Sequence, residues 1–290
     1  MDITWPVKKL RYRYMIAIPI VITLVLAAAL FIHEVPLSLD FSGGTYMQIT
    51  VDDPGSLPSV ETVESTFQDL FGGEVEVHHT SEGLTIETSN YLTENQVENL
   101  LQPALAAEGI DGEYTVERMS SVITGLYSEQ AKQAVIGAAI AMAVIIFISI
   151  RHLVSVAGIL LVVGLDIIGV FGGMALFNIP LSFGSITGIL LLIGYAVDTN
   201  ILLSTKVLKR VGGTARERAA EGMKTGMMMS GTSILALIAL NISLSPALLK
   251  ELSSVLIIGI LVDMVNTWLL NSSILLRHSE KQESKYHGRI

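Results

Sequence analysis

The chain has 290 residues, of which 51% are hydrophobic and 16% are charged, and its mean hydropathy is +0.59. This composition is typical of a membrane protein and excludes a chain that water alone would keep in solution. There is no cysteine, so disulfides are excluded. Residues 33–130 carry 18 Asp and Glu against one basic residue, Arg118; this net charge of −17 leaves +8 for the rest of a chain whose total is −9. So acidic a segment excludes nucleic acid as its ligand.

Six hydrophobic stretches are each long enough to cross a bilayer, because about 20 apolar residues span its hydrocarbon core as a helix. In chain order they are residues 14–32, 133–150, 153–177, 181–205, 223–244 and 252–276. The first lacks a persuasive cleavage site of small residues, so we expect it to remain as an anchor rather than a signal peptide. The sequence therefore predicts a polytopic α-helical membrane protein with six transmembrane helices in the lipid bilayer.

Basic residues indicate the orientation of these spans, because Lys and Arg stay at the cytoplasmic ends of membrane helices. They precede the first span, separate the second from the third, surround the connection from the fourth to the fifth, and follow the sixth. We therefore expect a protein of the cell membrane that has both termini in the cytoplasm and residues 34–130 on the extracytoplasmic side. The predicted divisions are an N-terminal segment with the first span (1–33), an extracytoplasmic domain (34–130), a bundle of five spans (131–278) and a cytoplasmic tail (279–290).

The segment after the first span has the pattern of a small α+β domain. Alternating apolar and polar residues predict four strands, and two stretches with helical spacing lie between them, in the order βαββαβ. The strands are predicted at 45–51, 74–80, 84–88 and 113–119, and the helices at 58–71 and 93–108. Thr93 and Gln96 have the spacing of a capping box at the second helix. This order is the ferredoxin-like arrangement, which by itself indicates no particular function.

Asp166, Asp198 and Asp263 lie inside otherwise uncharged spans, where a carboxylate is disfavoured by at least about 2.5 kcal/mol. Intramembrane acids usually face a protein interior or a watery cavity and mark an ion or proton path. Counting by three and four from each acid gives mostly small or polar residues, so all three faces are predicted to point inward. Apart from Arg151 at a helix end, the three spans that carry these acids offer no cation, so we expect the acids to titrate. The default hypothesis is a transport-related membrane protein.

Three segments of the sequence carry a resemblance to a known family. The sequence Leu-Asp-Phe-Ser-Gly-Gly-Thr at 39–45, residues 121–151 at the start of the second span, and Gly-Tyr-Ala-Val-Asp-Thr-Asn at 194–200 resemble the SecD/SecF protein-export family. The motif residues are Asp40, Phe41, Gly43, Gly44, Gly194, Tyr195 and Asp198. The single modest outside domain and the length are similar to SecF subunits of that family. Leu165 before Asp166, Val197 before Asp198, and Thr205 before Lys206 depart from the bacterial pattern and make the chain similar to archaeal members.

The resemblance implies an accessory of the SecYEG-type translocon that uses the proton motive force to help draw unfolded secretory proteins outward. Archaea lack the SecA motor, which leaves open what the complex couples to. SecD and SecF resemble the two halves of resistance-nodulation-division (RND) transporters, so we expect SecD as an obligate partner, with the titrating acids near the interface. Within this hypothesis the proton-relay candidates are Asp166, Asp198, Asn200 and Asp263. Asp198, assisted by Asp166 and flanked by Asn200, is the proton-responsive centre, whereas Asp263 has a lesser effect because Asn266 and Thr267 suggest a polar packing role.

Two other classes fit parts of the sequence. A small-molecule or lipid exporter of the RND superfamily also uses intramembrane acids, but normally carries twelve spans in one chain. An intramembrane aspartyl protease would use two carboxylates on neighbouring helices, and Asp166 with Asp198 fits that minimally. However, Gly164-Leu165-Asp166 lacks the second glycine of the usual Gly-x-Gly-Asp motif, and no Tyr-Asp pair occurs. No zinc spacing, phosphate loop or Ser-His-Asp order occurs, so we expect neither enzyme activity nor a cofactor or metal. His78 and His79 are adjacent in a predicted strand and would face opposite sides.

Overall fold

The computed structural model describes residues 3–51, 53, 57–71, 75–80, 83–209, 212–243 and 247–287. Its contacts divide the chain into two compact units. The helical unit comprises Met1–Pro36 and Gln133–Ile290, and the sheet unit comprises Leu37–Lys132.

Long apolar helices make up most of the helical unit. They are α1 (Trp5–Lys9), α2 (Tyr12–Ile32), α7 (Ser121–Ile150, from within the sheet unit), α8 (Leu153–Leu176), α9 (Phe183–Lys209), α10 (Ala215–Ile242), α11 (Ala247–Val265), a π-helix (Asn266–Asn271) and α12 (Ser272–His287). Among the described residues, five helices are long and apolar enough to cross a membrane: α2, α8, α9, α10 and the Thr124–Ile150 part of α7. The 24 residues of α8 extend about 36 Å, more than the roughly 30 Å hydrocarbon core. The chain is therefore a multi-pass membrane protein.

The sixth predicted span, 252–276, lies on α11, the π-helix and the start of α12. These three segments follow one another without an intervening loop. Because the helical type changes at Asn266, no single α-helix covers the predicted stretch. The end of the fifth predicted span, at 244, lies outside the described residues.

Helix α11 packs against α8, α9 and α10. Its close approach to two of them depends on glycines, which leave room for a neighbouring side chain. A β-carbon at Gly169 of α8 would lie 2.7 Å from Cγ1 of Val262, and one at Gly259 of α11 would lie 2.5 Å from Cδ2 of Leu192. Gly169 and Gly259 are among the small residues at helical spacing from Asp166 and Asp263, and they let these helices approach closely.

The sheet unit has the element order expected from its sequence. Its segments are α3 (Leu39–Ser42), β1 (Gly44–Val51), α4 (Val60–Phe71), β2 (Val75–Thr80), β3 (Gly83–Thr88), α5 (Glu94–Gln96), a π-helix (Val97–Leu101), α6 (Gln102–Ala107) and β4 (Gly112–Met119). Within the described residues the four strands form an antiparallel sheet in the order β2-β3-β1-β4. The predicted capping box is confirmed, since the Thr93 backbone N–H donates to Oε1 of Gln96 over 2.9 Å.

One face of the sheet packs against the helices. Met47, Ile49 and Ile86 are fully buried there with Phe67 of α4 and Leu101 of the first π-helix. On the other face, cross-strand register aligns acidic residues. Glu87 of β3 lies directly opposite Glu76 of β2, an arrangement of like charges that disfavours strand pairing.

Candidate functional site

The helical unit contains two buried carboxyl groups from different helices. Asp166 of α8 has 1% of its surface exposed and Asp263 of α11 has none. The two carboxyls lie close enough to interact directly. Neither forms an ion pair with any residue that the structure describes. A buried, uncompensated acid of this kind is expensive, so the site is a functional candidate.

Three polar side chains donate hydrogen bonds to this pair. Nδ2 of Asn266 donates to Oδ1 of Asp166 over 2.7 Å. The hydroxyl of Thr267 donates to Oδ1 of Asp263 over 2.7 Å, and that of Thr199, on α9, donates to Oδ2 over 3.0 Å. The pair is therefore surrounded by donors from α9 and the second π-helix, which orient both carboxyl groups.

A second layer of amides extends from Thr267. Nδ2 of Asn200 donates to the Thr267 hydroxyl over 2.8 Å and to the Ala196 carbonyl over 2.7 Å. Nδ2 of Asn271 in turn donates to Oδ1 of Asn200. Asn200, Thr267 and Asn271 are fully buried. Asn200 thus lies in the polar cluster, as predicted, but it reaches Asp263 through Thr267.

Local helix geometry explains why these residues converge. Asp263 and Thr267 are four residues apart, so their side chains lie one above the other on the same helix face. The π-helix begins at Asn266 and carries Asn266, Thr267 and Asn271, all buried. Single π turns within helices are frequent at functional sites, and here the π turn directs three polar side chains to the interior.

The expectation that the face of Asp198 points inward is wrong within this chain, and the structure does not bring Asp198 to Asp166. Asp198 is exposed on α9, while its neighbours Thr199 and Asn200 are buried. Leu191 and Gly194, seven and four residues before it, are exposed too, so they form one outward stripe with Asp198. The helical period that places Thr199 and Asn200 inside turns Asp198 outward. The acid that Asp166 meets is Asp263, which the sequence also offered as a proton-relay candidate but with a lesser role than Asp198.

This arrangement also removes the pairing on which the protease hypothesis depended. That hypothesis needed Asp166 and Asp198 on facing helices, and the structure does not bring these two together. Tyr195 of the same motif has a packing contact: its hydroxyl donates to Oγ of Ser230 on α10 over 2.7 Å.

The Asp-Phe-Ser-Gly-Gly motif lies at the start of the sheet unit, where Asp40 and Phe41 belong to α3. Gly43 and Gly44 follow with φ of 77° and 141°, conformations that favour glycine. A β-carbon at Gly44 would lie 2.2 Å from the Thr88 carbonyl oxygen of β3. The glycines thus provide the turn from α3 into β1 and the close approach of β3.

Two family patterns match separate parts of the chain. The pattern described as "Protein export membrane protein SecD/SecF, C-terminal" matches residues 106–281, and the SecD/SecF GG motif matches residues 28–54. The chain belongs to the SecD/SecF protein-export family. The GG motif contains Gly43 and Gly44, and the C-terminal pattern contains Asp166, Asp198 and Asp263.

Curated relatives are similar to the chain over nearly its whole length. The protein-export membrane protein SecF of Methanothermobacter thermautotrophicus is 36% identical over 274 residues, which cover 91% of each chain. SecF of Methanocaldococcus jannaschii is 30% identical over 283 residues, covering 94% of this chain and 98% of the relative. Both relatives are archaeal, as the departures at positions 165, 197 and 205 indicated.

A solved structure shares the fold. Crystalline SecDF of Thermus thermophilus, a translocon-associated membrane protein, superposes with a TM-score of 0.73 at 19% identity. The match covers 97% of this chain but 39% of the SecDF chain. This chain thus has the fold of one part of a longer protein.

Proposed function

We propose that this chain is the SecF-type accessory subunit of a protein translocase and that it assists the export of secreted proteins. The observation that carries the proposal is similarity over nearly the full length to proteins named protein-export membrane protein SecF, at 36% identity over 91% of the chain. Both the GG motif and the C-terminal family pattern occur in their proper order. The family is one of export subunits, which favours this role over that of an enzyme.

SecD is the partner that this proposal requires. SecDF joins both names in a single chain, and this protein matches 39% of that chain, which supports a SecD-type part as its counterpart. The outward Asp198 supports the same conclusion, because a carboxylate exposed from a membrane span needs a polar or charged neighbour. A contact between α9 and SecD would provide that neighbour, in the same way that the two halves of an RND-type transporter contact each other.

The proposed topology has six membrane spans, with both termini in the cytoplasm and the sheet unit outside. Five candidate helices and the continuous succession of α11, π-helix and α12 support the number. The concentration of Lys and Arg at alternate ends supports the orientation. The strand order β2-β3-β1-β4 with both helical segments between strands supports a ferredoxin-like fold for the outside domain, here 34–130.

Coupling to the proton motive force is part of the proposal and rests on the acids. Asp198 lies on the surface of α9 where a partner would meet it, and Asp166 and Asp263 lie inside the bundle. A carboxyl that changes charge in a membrane shifts the balance between conformations that hydrate it and conformations that bury it. Movement of the outside domain would then act on unfolded secretory proteins that emerge from the SecYEG-type translocon.

Affinity purification from native membranes tests the export function. We expect the tagged chain to retain SecD and the SecY channel after gentle solubilisation. The matched control is a Gly44→Val variant, which should disrupt the start of the sheet unit and weaken this recovery. If the wild-type chain carries neither SecD nor the channel, but a different set of membrane proteins, the export proposal is wrong and a small-molecule or lipid exporter becomes the better interpretation.

A further inference from the structure

The buried carboxyl pair has four oxygens but receives only three hydrogen bonds from amides and alcohols of the described residues. Asn266 donates to Oδ1 of Asp166, while Thr267 and Thr199 donate to the two oxygens of Asp263. Oδ2 of Asp166 is buried, and no amide or alcohol group in the described part of the chain donates to it. A buried acceptor left in this way costs about 1–3 kcal/mol, and more if it is charged.

The described surroundings of the pair provide no other compensation for two negative charges. No described Lys or Arg pairs with Asp166 or Asp263. On α9, Tyr195 is close enough to interact electrostatically with Asp263, and its hydroxyl, which donates to Ser230, is neutral. From the second π-helix the facing groups are the Asn266 amide and the Thr267 hydroxyl, and these are neutral as well. Two adjacent carboxylates in such a site would repel each other strongly.

We propose that Asp166 and Asp263 form a binding site for one shared proton, which Oδ2 of Asp166 carries and donates to the Asp263 carboxylate. The proton provides the missing fourth hydrogen bond and reduces the charge of the pair from −2 to −1. It resides on Asp166 because Asp263 already accepts two hydroxyl hydrogen bonds, which stabilise a carboxylate better than the one amide bond to Asp166. The whole site belongs to a single subunit and is separate from the outward Asp198.

Loss of this proton has a direct structural consequence. Asp166 lies on α8 and Asp263 on α11, and these helices touch where Val262 meets Gly169. Two negative charges would push the helices apart or draw water between them, so the protonation state of the pair controls how tightly α8 and α11 pack. The link from this proton to protein export rests on the function proposed above, but the existence of the site does not.

Infrared spectroscopy of the full-length chain in lipid nanodiscs tests the site without an export assay. An isolated aspartic acid titrates near pH 3.9, so exposed acids are ionised at about pH 7.5. We expect the wild-type chain to show a protonated-carboxyl C=O band at that pH, which shifts in D2O. Asp166→Asn should remove the part of this C=O band that comes from one protonated carboxyl group, and this part is the component followed below. Asp263→Asn should retain that component at a shifted frequency, because a buried Asp166 with no cation remains protonated.

Two control variants separate this component from other acids. Glu87→Gln removes a carboxyl of the sheet unit whose pKa is raised by burial, and Asp198→Asn removes the outward acid of α9. Neither should change the component that Asp166→Asn removes. If the Asp166 and Asp263 variants fail to fold, Thr199→Val provides a milder change, because it removes only one hydroxyl that donates to Asp263. The wild-type spectrum alone still decides whether a protonated carboxyl exists.

Several results would overturn the proposal. They are a wild-type spectrum with no protonated-carboxyl band, a band that survives Asp166→Asn, and a band that Asp263→Asn abolishes. A band that appears only after Na+ is replaced by choline would identify a metal cation as the usual occupant and would overturn the proton assignment too. Failure of SecD to co-purify, by contrast, would refute the export function and leave this spectrum unaffected.

Discussion

Gly44→Ala should destabilise the sheet unit more than an alanine at any glycine that requires only a positive φ. The alanine β-carbon would lie 2.2 Å from the Thr88 carbonyl oxygen and 2.8 Å from Cδ2 of Leu39. A φ of 141° adds backbone strain. Strain of about 1–2 kcal/mol and overpacking of about 1–3 kcal/mol together give a loss of roughly 2–5 kcal/mol.

Two other glycines of the same unit separate these contributions. Gly109 has a φ of 71° but nothing within 4 Å of its β-carbon position, so Gly109→Ala should cost only the strain, about 1–2 kcal/mol. Gly125 in α7 is exposed and has neither a positive φ nor a close neighbour. Gly125→Ala should stabilise its helix by about 0.5–1 kcal/mol.

Hydrogen exchange of β1 and β3 amides, followed by mass spectrometry on the full-length chain, measures these differences. Exchange from a locally opened state accelerates about tenfold for each 1.4 kcal/mol lost. We therefore expect at least about 25-fold faster exchange in Gly44→Ala, and less acceleration in Gly109→Ala. Equal exchange in these two variants would refute the role given to the close approach of Thr88. A Gly44→Ala protein that keeps normal protection and SecD binding but loses export would instead indicate a direct role of the motif with substrate.

Three further predictions concern charged groups. Asp198→Asn should preserve membrane insertion and SecD binding while abolishing the dependence of export on the proton gradient; an undiminished gradient response in membrane vesicles would remove Asp198 from the mechanism. Burial raises the pKa of Glu87, so the folded sheet unit favours the neutral carboxyl and loses stability as pH rises and Glu87 ionises. Glu87→Gln should therefore stabilise the sheet unit by about 0.5 kcal/mol at neutral pH, but not below about pH 4, as measured by thermal unfolding. Nε2 of His78 lies 3.7 Å from Oε2 of Glu76, and this pairing raises the pKa of His78 above 6.5 and lowers that of Glu76 below 4.5. The stabilisation from this pairing is therefore complete between about pH 4.5 and 6.5, and it falls as pH rises through the His78 pKa or drops through the Glu76 pKa. NMR of labelled histidines should show a lower His78 pKa in Glu76→Gln. An unchanged His78 pKa would contradict the pairing.

Hydrophobic length and alternation were sufficient to locate most secondary structure. The strand predicted at 45–51 occupies Gly44–Val51, and the span predicted at 153–177 occupies α8 to Leu176. Such elements follow from local periodicity and from the apolar length that a bilayer demands. The π-helix at Asn266 did not follow from the sequence, because its hydrogen-bond shift depends on where neighbouring helices hold the side chains.

The sequence by itself determined that acids occur within membrane spans and that small or polar residues share their faces. It could not determine what each such face meets, because a polar stripe suits a neighbouring helix of the same chain as well as a partner subunit. Tertiary packing decided the matter: α11 approaches α8 over their glycines and pairs Asp263 with Asp166, whereas α9 directs Thr199 and Asn200 inward and leaves Asp198 on its outer surface. Helical period gives a direction relative to the helix axis, and only the positions of the other helices turn that direction into an interior or an exterior.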